Sequence, residues 1–156
     1  MRQVPHYLLI GNGRVARHFR HYFSLLKLPF STWNRSESLL RLHEKLSVCS
    51  HILLLISDSV IDEFIIQHLK KTEAMLIHFS GSLVSSHAFG AHPLMTFSEN
   101  LYDLECYHEF SFVLDHDAPP FETLLPGLSN RYVRLDKSLK AKYHACLLYT
   151  SDAADE

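Results

Sequence analysis

Near the start of the chain, the run His6-Tyr-Leu-Leu-Ile-Gly-Asn-Gly-Arg-Val-Ala-Arg-His-Phe-Arg-His-Tyr-Phe23 leaves few ways to fold. Tyr7 to Ile10 is a short apolar run, and Gly11, Gly13 and Ala16 follow at the G-x-G-x-x-A spacing that joins a buried strand to a helix. Gly11 permits the tight turn, Gly13 lets the backbone approach a pyrophosphate, and Ala16 lets the helix lie close on the strand. Beyond the turn, Val15, Phe19, Tyr22, Phe23 and Leu26 recur on one helical face. The free N–H groups from Asn12 to Val15, with the positive end of the helix dipole behind them, then point at an anion. The stretch predicts the opening of a dinucleotide-binding βαβ unit, with Gly11, Asn12, Gly13, Arg14 and Val15 at the phosphates.

Phe30 to Trp33 reads as the second strand, and its end selects the dinucleotide. Units that hold NAD usually place an Asp or Glu about 20 residues beyond the glycines to accept the ribose hydroxyls. Here the stretch is Asn34, Arg35 and Ser36, with no carboxylate until Glu37. A 2′-phosphate suits that set, because Arg35 can form charge-assisted bonds to it and Ser36 adds a donor. NADP is therefore expected in preference to NAD. The competing reading makes Arg35 a solvated turn residue and Ser36 the cap of the next helix.

That helix is expected from Ser36 to about Leu46, with Leu39, Leu42 and Leu46 on one side. His51 to Ile56 is continuously apolar, as in a parallel strand covered on both faces. It ends at Ser57-Asp58-Ser59, where Asp58 or Ser59 can cap a helix carrying Ile61, Phe64, Ile65 and Leu69 on one stripe. In such sheets the carboxyl ends of the strands line the ligand crevice, which places Ser57 and Asp58 near a cofactor ribose or nicotinamide. Ala74 to Phe79 reads as a fourth strand ending in Ser80-Gly81-Ser82, and Ala88 to Phe97 holds a fifth, across a link with room for a single turn. Ser111 to Asp115 and Tyr132 to Leu135 are later strands, separated by a helix with Pro119 and Pro120 in its first turn. The alternation predicts an α/β fold, a doubly wound, mostly parallel, Rossmann-like sheet.

Composition narrows the function classes. Charged residues make up 21% of the chain and the net charge is −2, which gives no electrostatic case for nucleic acid or an anionic membrane. The apolar run from Ile52 to Ile56 is far too short to span a bilayer, and the polar Met1-Arg2-Gln3 start leads into a strand rather than a signal peptide, so a cytoplasmic protein is expected. The three cysteines share no metal or redox spacing and read as reduced thiols. The twelve histidines also lack ligand spacing: His18 and His21 lie three apart on a helix, but no third ligand joins them, and no metal is expected. His92 stands before Pro93 at a strand end, where an imidazole can bind or protonate a substrate, or simply pack. Ser80 and His144 are the other catalytic candidates.

His92-Pro93-Leu94 with Thr96-Phe97, Lys142-Tyr143-His144-Ala145 and Leu9-Ile-Gly-Asn-Gly-Arg-Val15 together resemble a family of bacterial proteins. These join a Rossmann-like domain to a helical domain of unknown function and are related to pyrroline-5-carboxylate reductase and the deazaflavin-linked NADP oxidoreductases. The resemblance covers about residues 6 to 145. It implies NADP at Gly11, Gly13, Asn34, Arg35 and Ser36, with hydride transfer to or from a small imine or carbonyl substrate. It also implies a helical domain that supplies substrate contacts and a homodimer interface. Met95 replaces the family's usual glutamine, and the link between strands four and five is shorter than usual.

Lys137 to Ala145 reads as the opening of a helix, whereas Cys146 to Glu156 resembles translated sequencing adapter. The expectation is a dinucleotide-binding domain over 1–136, the start of a truncated helical domain over 137–145 and a non-native tail over 146–156. Such a fragment binds nucleotide with little or no turnover and exposes apolar surface where the missing helices pack. The alternative is a non-catalytic, nucleotide-responsive binding protein. A methyltransferase comes third, because its usual acidic ribose partner is missing at Asn34 to Ser36.

Overall fold

The computed structural model describes residues 4–146, so the expected non-native tail lies, Cys146 apart, outside the described residues. Its strands are β1 (Tyr7–Ile10), β2 (Phe30–Trp33), β3 (His51–Leu54), β4 (Met75–His78), β5 (Phe89–Pro93), β6 (Phe112–Asp115) and β7 (Tyr132–Leu135). They form one sheet in the order β2-β1-β3-β4-β5-β6-β7. Neighbours through β5 are parallel, β6 runs antiparallel to β5, and β7 runs parallel to β6. The helices are α1 (Arg14–Leu25), α2 (Leu39–Leu46), α3 (Ile61–His68), α4 (Leu104–Glu109) and α5 (Phe121–Leu124). This is the expected α/β doubly wound, Rossmann-like arrangement.

β1 is buried at every position, and β3 at all but His51, because both faces of the sheet are covered there. Tyr7 and Leu9 of β1, with Leu53 of β3, pack against Ala16, Phe19, Tyr22 and Phe23 of α1, Tyr107 of α4, and Phe121 and Leu124 of α5. Leu8 and Ile10, with Ile52 and Leu54, pack on the other face against Leu42 of α2 and Ile61 and Ile65 of α3. Each fully buried Leu or Phe in these layers contributes about 1.5–3 kcal/mol relative to exposure. Alternation along β1 thus feeds two cores at once, which pins its register.

Several local expectations are corrected. Helix α2 starts at Leu39, because Ser38 Oγ accepts the Arg41 N–H, while Asn34 Oδ1 accepts the Ser36 N–H and holds Ser36 in a preceding turn. Leu39 is 48% exposed, so only Leu42 and Leu46 of the three expected leucines face the core. Neither Asp58 nor Ser59 caps α3; a 3₁₀ turn over Asp58–Val60 leads into it, with no side-chain cap at Ser57 or Val60. Pro119 and Pro120 both precede α5, with Pro120 at its N-cap position. Helix α4, capped by Asp103 Oδ1 on the Cys106 N–H, and the reversal at β6 were not expected. The link from β4 to β5 contains bends but no helix. Among the described residues no helix is long and apolar enough to cross a membrane.

Candidate functional site

The chain leaves β1 toward β2 on one side and returns through α2 to β3 on the other, so the carboxyl ends of β1 and β3 diverge and open a crevice. The cleft there has a volume of about 880 Å³. Gly11, Asn12, Gly13, Arg14 and Val15 line one wall, Asn34, Arg35 and Ser36 one end, and Ser57, Asp58, Ser80, His92 and Met95 the rest. All ten residues expected at the cofactor therefore border one cavity, as do Ser80 and His92.

The two glycines serve different needs. Gly11 adopts φ +137°, and a Cβ there would stand 2.1 Å from the Leu55 carbonyl oxygen, so both its backbone and its surroundings demand glycine. Gly13 is the N-cap of α1, has φ −85°, and a Cβ on it would meet nothing within 4 Å. Its lack of a side chain keeps the space before the helix open. The first N–H groups of α1 have no partners inside the helix and face that space. Arg14 is steadied beside it by an ion pair to Glu99 at 3.1 Å, and Arg20 reaches Asn12 Oδ1 at 3.3 Å.

The end of β2 decides the charge at the far end of the cleft. Glu37, the nearest carboxylate, is turned away: it takes Lys45 Nζ at 3.0 Å and the Asn34 N–H at 3.0 Å. The Lys45 hydrogen bond, with help from the Asn34 N–H, holds the Glu37 carboxyl below its ordinary range. Asn34 Oδ1 is occupied by the Ser36 N–H and hydroxyl. Arg35 is exposed and, among the described residues, forms no ion pair.

At the other end, Ser80 donates its hydroxyl to Asp58 Oδ2 at 2.6 Å and accepts the N–H groups of Ser82 and Leu83. That hydroxyl is fully engaged and holds Asp58 in place. His92, half-buried, has Nδ1 3.3 Å from Tyr143 Oη. Burial first, then His144 and Lys140, pull its pKa down to about 4. His144 lies beside it, with a buried Nδ1 that has no hydrogen-bond partner among the described residues. His18 and His21 are held elsewhere: His18 bonds Tyr107 Oη and the Ser98 carbonyl, and His21 bonds the Tyr102 carbonyl.

Sequence reasoning missed a buried polar row behind the cleft. His78, Gly90 and Asp115 lie side by side on β4, β5 and β6, and Lys140 Nζ reaches Asp115 Oδ1 at 2.7 Å. The signals were a glycine inside a strand, which marks close approach, and a carboxylate ending an apolar strand.

No protein-family model matches the sequence, and no curated protein is significantly similar to it. Solved structures do share its fold. A proposed NADP oxidoreductase of Bacteroides fragilis superposes with a TM-score of 0.71 at 20% identity, over 97% of this chain and 68% of that one. The prephenate dehydrogenase of A. aeolicus, solved with NAD+, gives 0.69 at 10% identity, over 97% and 70%. The pyrroline carboxylate reductase of Plasmodium falciparum, solved with NADP, gives 0.57 at 12% identity, over 96% and 67%. The fold is one that nicotinamide-dinucleotide-dependent oxidoreductases share.

Proposed function

We propose that this chain is the cofactor-binding part of an NADP-dependent oxidoreductase that acts on a small imine or carbonyl substrate. The observation that carries the cofactor choice is at the end of β2: Arg35 is exposed and forms no ion pair among the described residues, while Glu37 is held against Lys45. A carboxylate aimed into the cleft disfavours a 2′-phosphate, whereas a guanidinium free to form two parallel bonds favours it. The residues present fit the dinucleotide: open space at Gly13, unpaired N–H groups at the start of α1, and that free guanidinium.

The bound cofactor supplies hydride chemistry. The chain's own residues orient and enclose. Arg35 and Ser36 anchor one end, the first turn of α1 holds the pyrophosphate, and Asp58, fixed by Ser80, borders the nicotinamide end together with His92. Residues 137–145 are the start of a second, helical unit on the substrate side.

Titration of the purified chain with NADPH and with NADH, read by nucleotide fluorescence, tests the reading. NADPH binds the tighter, and Arg35→Ala removes the preference. Equal affinities in the unaltered chain refute it.

A further inference from the structure

Two of the five glycines face the segment that follows β7. A Cβ at Gly90 would stand 2.7 Å from Lys140 Nζ and 3.0 Å from Asp115 Oδ1. A Cβ at Gly81 would stand 2.9 Å from His144 Nδ1 and 3.1 Å from His92 Nε2. Neither has a backbone conformation that demands glycine; at both, a Cβ would crowd side-chain atoms, chiefly the Lys140 ammonium and the His144 ring, which would have to shift. The sheet thus leaves two gaps, one for a lysine and one for a histidine of the same short segment.

The segment is fastened in order. Asp136 Oδ1 accepts the N–H and hydroxyl of Ser138 and starts the turn over Lys137–Leu139, after which residues 140–146 are helical. Lys137 bridges Asp117 at 3.5 Å. Lys140, 5% exposed, pairs with Asp115, which is fully buried, and donates to the Leu83 carbonyl at 2.7 Å. One turn on, Tyr143 and His144 meet His92. Burial raises the Tyr143 pKa, so its hydroxyl keeps its hydrogen and can donate to His92 Nδ1.

We propose that Asp136 to His144 form a latch that completes the reacting end of the cleft: the Lys140–Asp115 pair seats it, and Tyr143 then fixes His92 in the tautomer whose Nε2–H meets the lone pair of a substrate imine or carbonyl. Lys140 and Tyr143 are positioning residues, and His92 binds the substrate. The charged and polar groups that face His92 are Tyr143, His144, Lys140 and the Asp58 carboxylate, and of these Tyr143 Oη is the one at hydrogen-bond distance from Nδ1. The inference rests on the cofactor reading above.

The test is the imidazole ¹H–¹⁵N correlation spectrum of the full, ¹⁵N-labelled chain at pH 7, beside an NADPH titration. In the unaltered chain His92 is neutral and carries its hydrogen on Nε2. Tyr143→Phe deletes one oxygen and lets both tautomers populate. Lys140→Met does the same by releasing the segment, while NADPH binds as before. Arg35→Ala gives the reverse pattern, with weaker NADPH and an unchanged His92. Should Lys140→Met fail to fold, Tyr143→Phe still decides. A His92 hydrogen on Nδ1 in the unaltered chain, or an unchanged tautomer in Tyr143→Phe, overturns the latch. Undiminished NADPH binding in Arg35→Ala overturns the cofactor reading instead.

Discussion

The two glycines of the first turn predict opposite phenotypes. At Gly11 the backbone stands at φ +137°, and an added Cβ would lie 2.1 Å from the Leu55 oxygen and 2.8 Å from its carbon. Neither chain can retreat cheaply, because the Leu55 N–H bonds the Ile10 carbonyl at 2.8 Å and the Gly11 N–H bonds the Trp33 carbonyl at 2.9 Å. Backbone strain costs about 1–3 kcal/mol and overpacking about 1–3 more, so Gly11→Ala loses about 2–6 kcal/mol of a domain stability of about 5–15. At Gly13 an added Cβ meets nothing within 4 Å, so the stability cost of Gly13→Val is chiefly the weaker N-cap preference, about 1 kcal/mol. Its branched side chain nonetheless occupies the approach to the pyrophosphate. Urea unfolding followed by far-UV circular dichroism, beside NADPH titration, separates them. Gly11→Ala lowers the midpoint sharply; Gly13→Val nearly keeps it and abolishes binding. A Gly11→Ala chain as stable as the original, or a Gly13→Val chain that still binds NADPH, refutes the reasoning.

Arg35→Ala weakens NADPH by about 1.5–3 kcal/mol, the range for hydrogen bonds to charged groups, and leaves NADH unchanged; a parallel loss for both cofactors in calorimetric titration counts against a 2′-phosphate contact. Burial pulls His78 and His92 down from 6.5 to about 4, and below pH 6.5 the unfolded chain binds protons that the folded rings refuse. Stability is therefore full above pH 6.5 and falls toward pH 4, by up to about 1.4 kcal/mol per pH unit for each ring; urea midpoints independent of pH across that window contradict buried neutral rings. Lys140→Met costs about 3–5 kcal/mol because the Asp115 charge stays behind, and adding Asp115→Asn recovers much of it; a double variant no more stable than Lys140→Met shows that charge was not the cause.

What could be read from the sequence was what is local in it. The strand, turn and helix from Tyr7 to Leu26 are encoded by neighbours, and so is the end of β2, where Asn34, Arg35 and Ser36 line the cleft. Helix boundaries failed where two serines competed: Ser36 and Ser38 are equally good caps on paper, and only the Asn34 side chain, by holding Ser36 in a turn, decides between them. The antiparallel β6 could not be read, because an apolar strand such as Phe112–Asp115 carries no mark of its direction. The Glu37–Lys45 and Asp115–Lys140 pairs escaped for different reasons. The first is nearly local, eight residues apart, and was overlooked at the edge of a helix. The second joins a strand end to a segment beyond the next strand, and no spacing rule reaches it.

That second pair also explains why a buried polar row crosses β4, β5 and β6. An apolar helix laid on β4 to β6 could settle in several registers, since Leu and Val contacts discriminate poorly between them. One ammonium opposite one buried carboxylate, with a single strand glycine leaving room between, admits a single seat. The cost of burying both charges is large, and apolar replacements often do as well or better for stability alone. What the pair supplies is position. With Lys140 fixed, Tyr143 and His144 fall one turn later against His92 and Gly81, at the edge of the same cleft that Gly11 opens. The double variant is therefore expected to recover stability without recovering the single His92 tautomer, because an uncharged pair no longer holds the segment in one register.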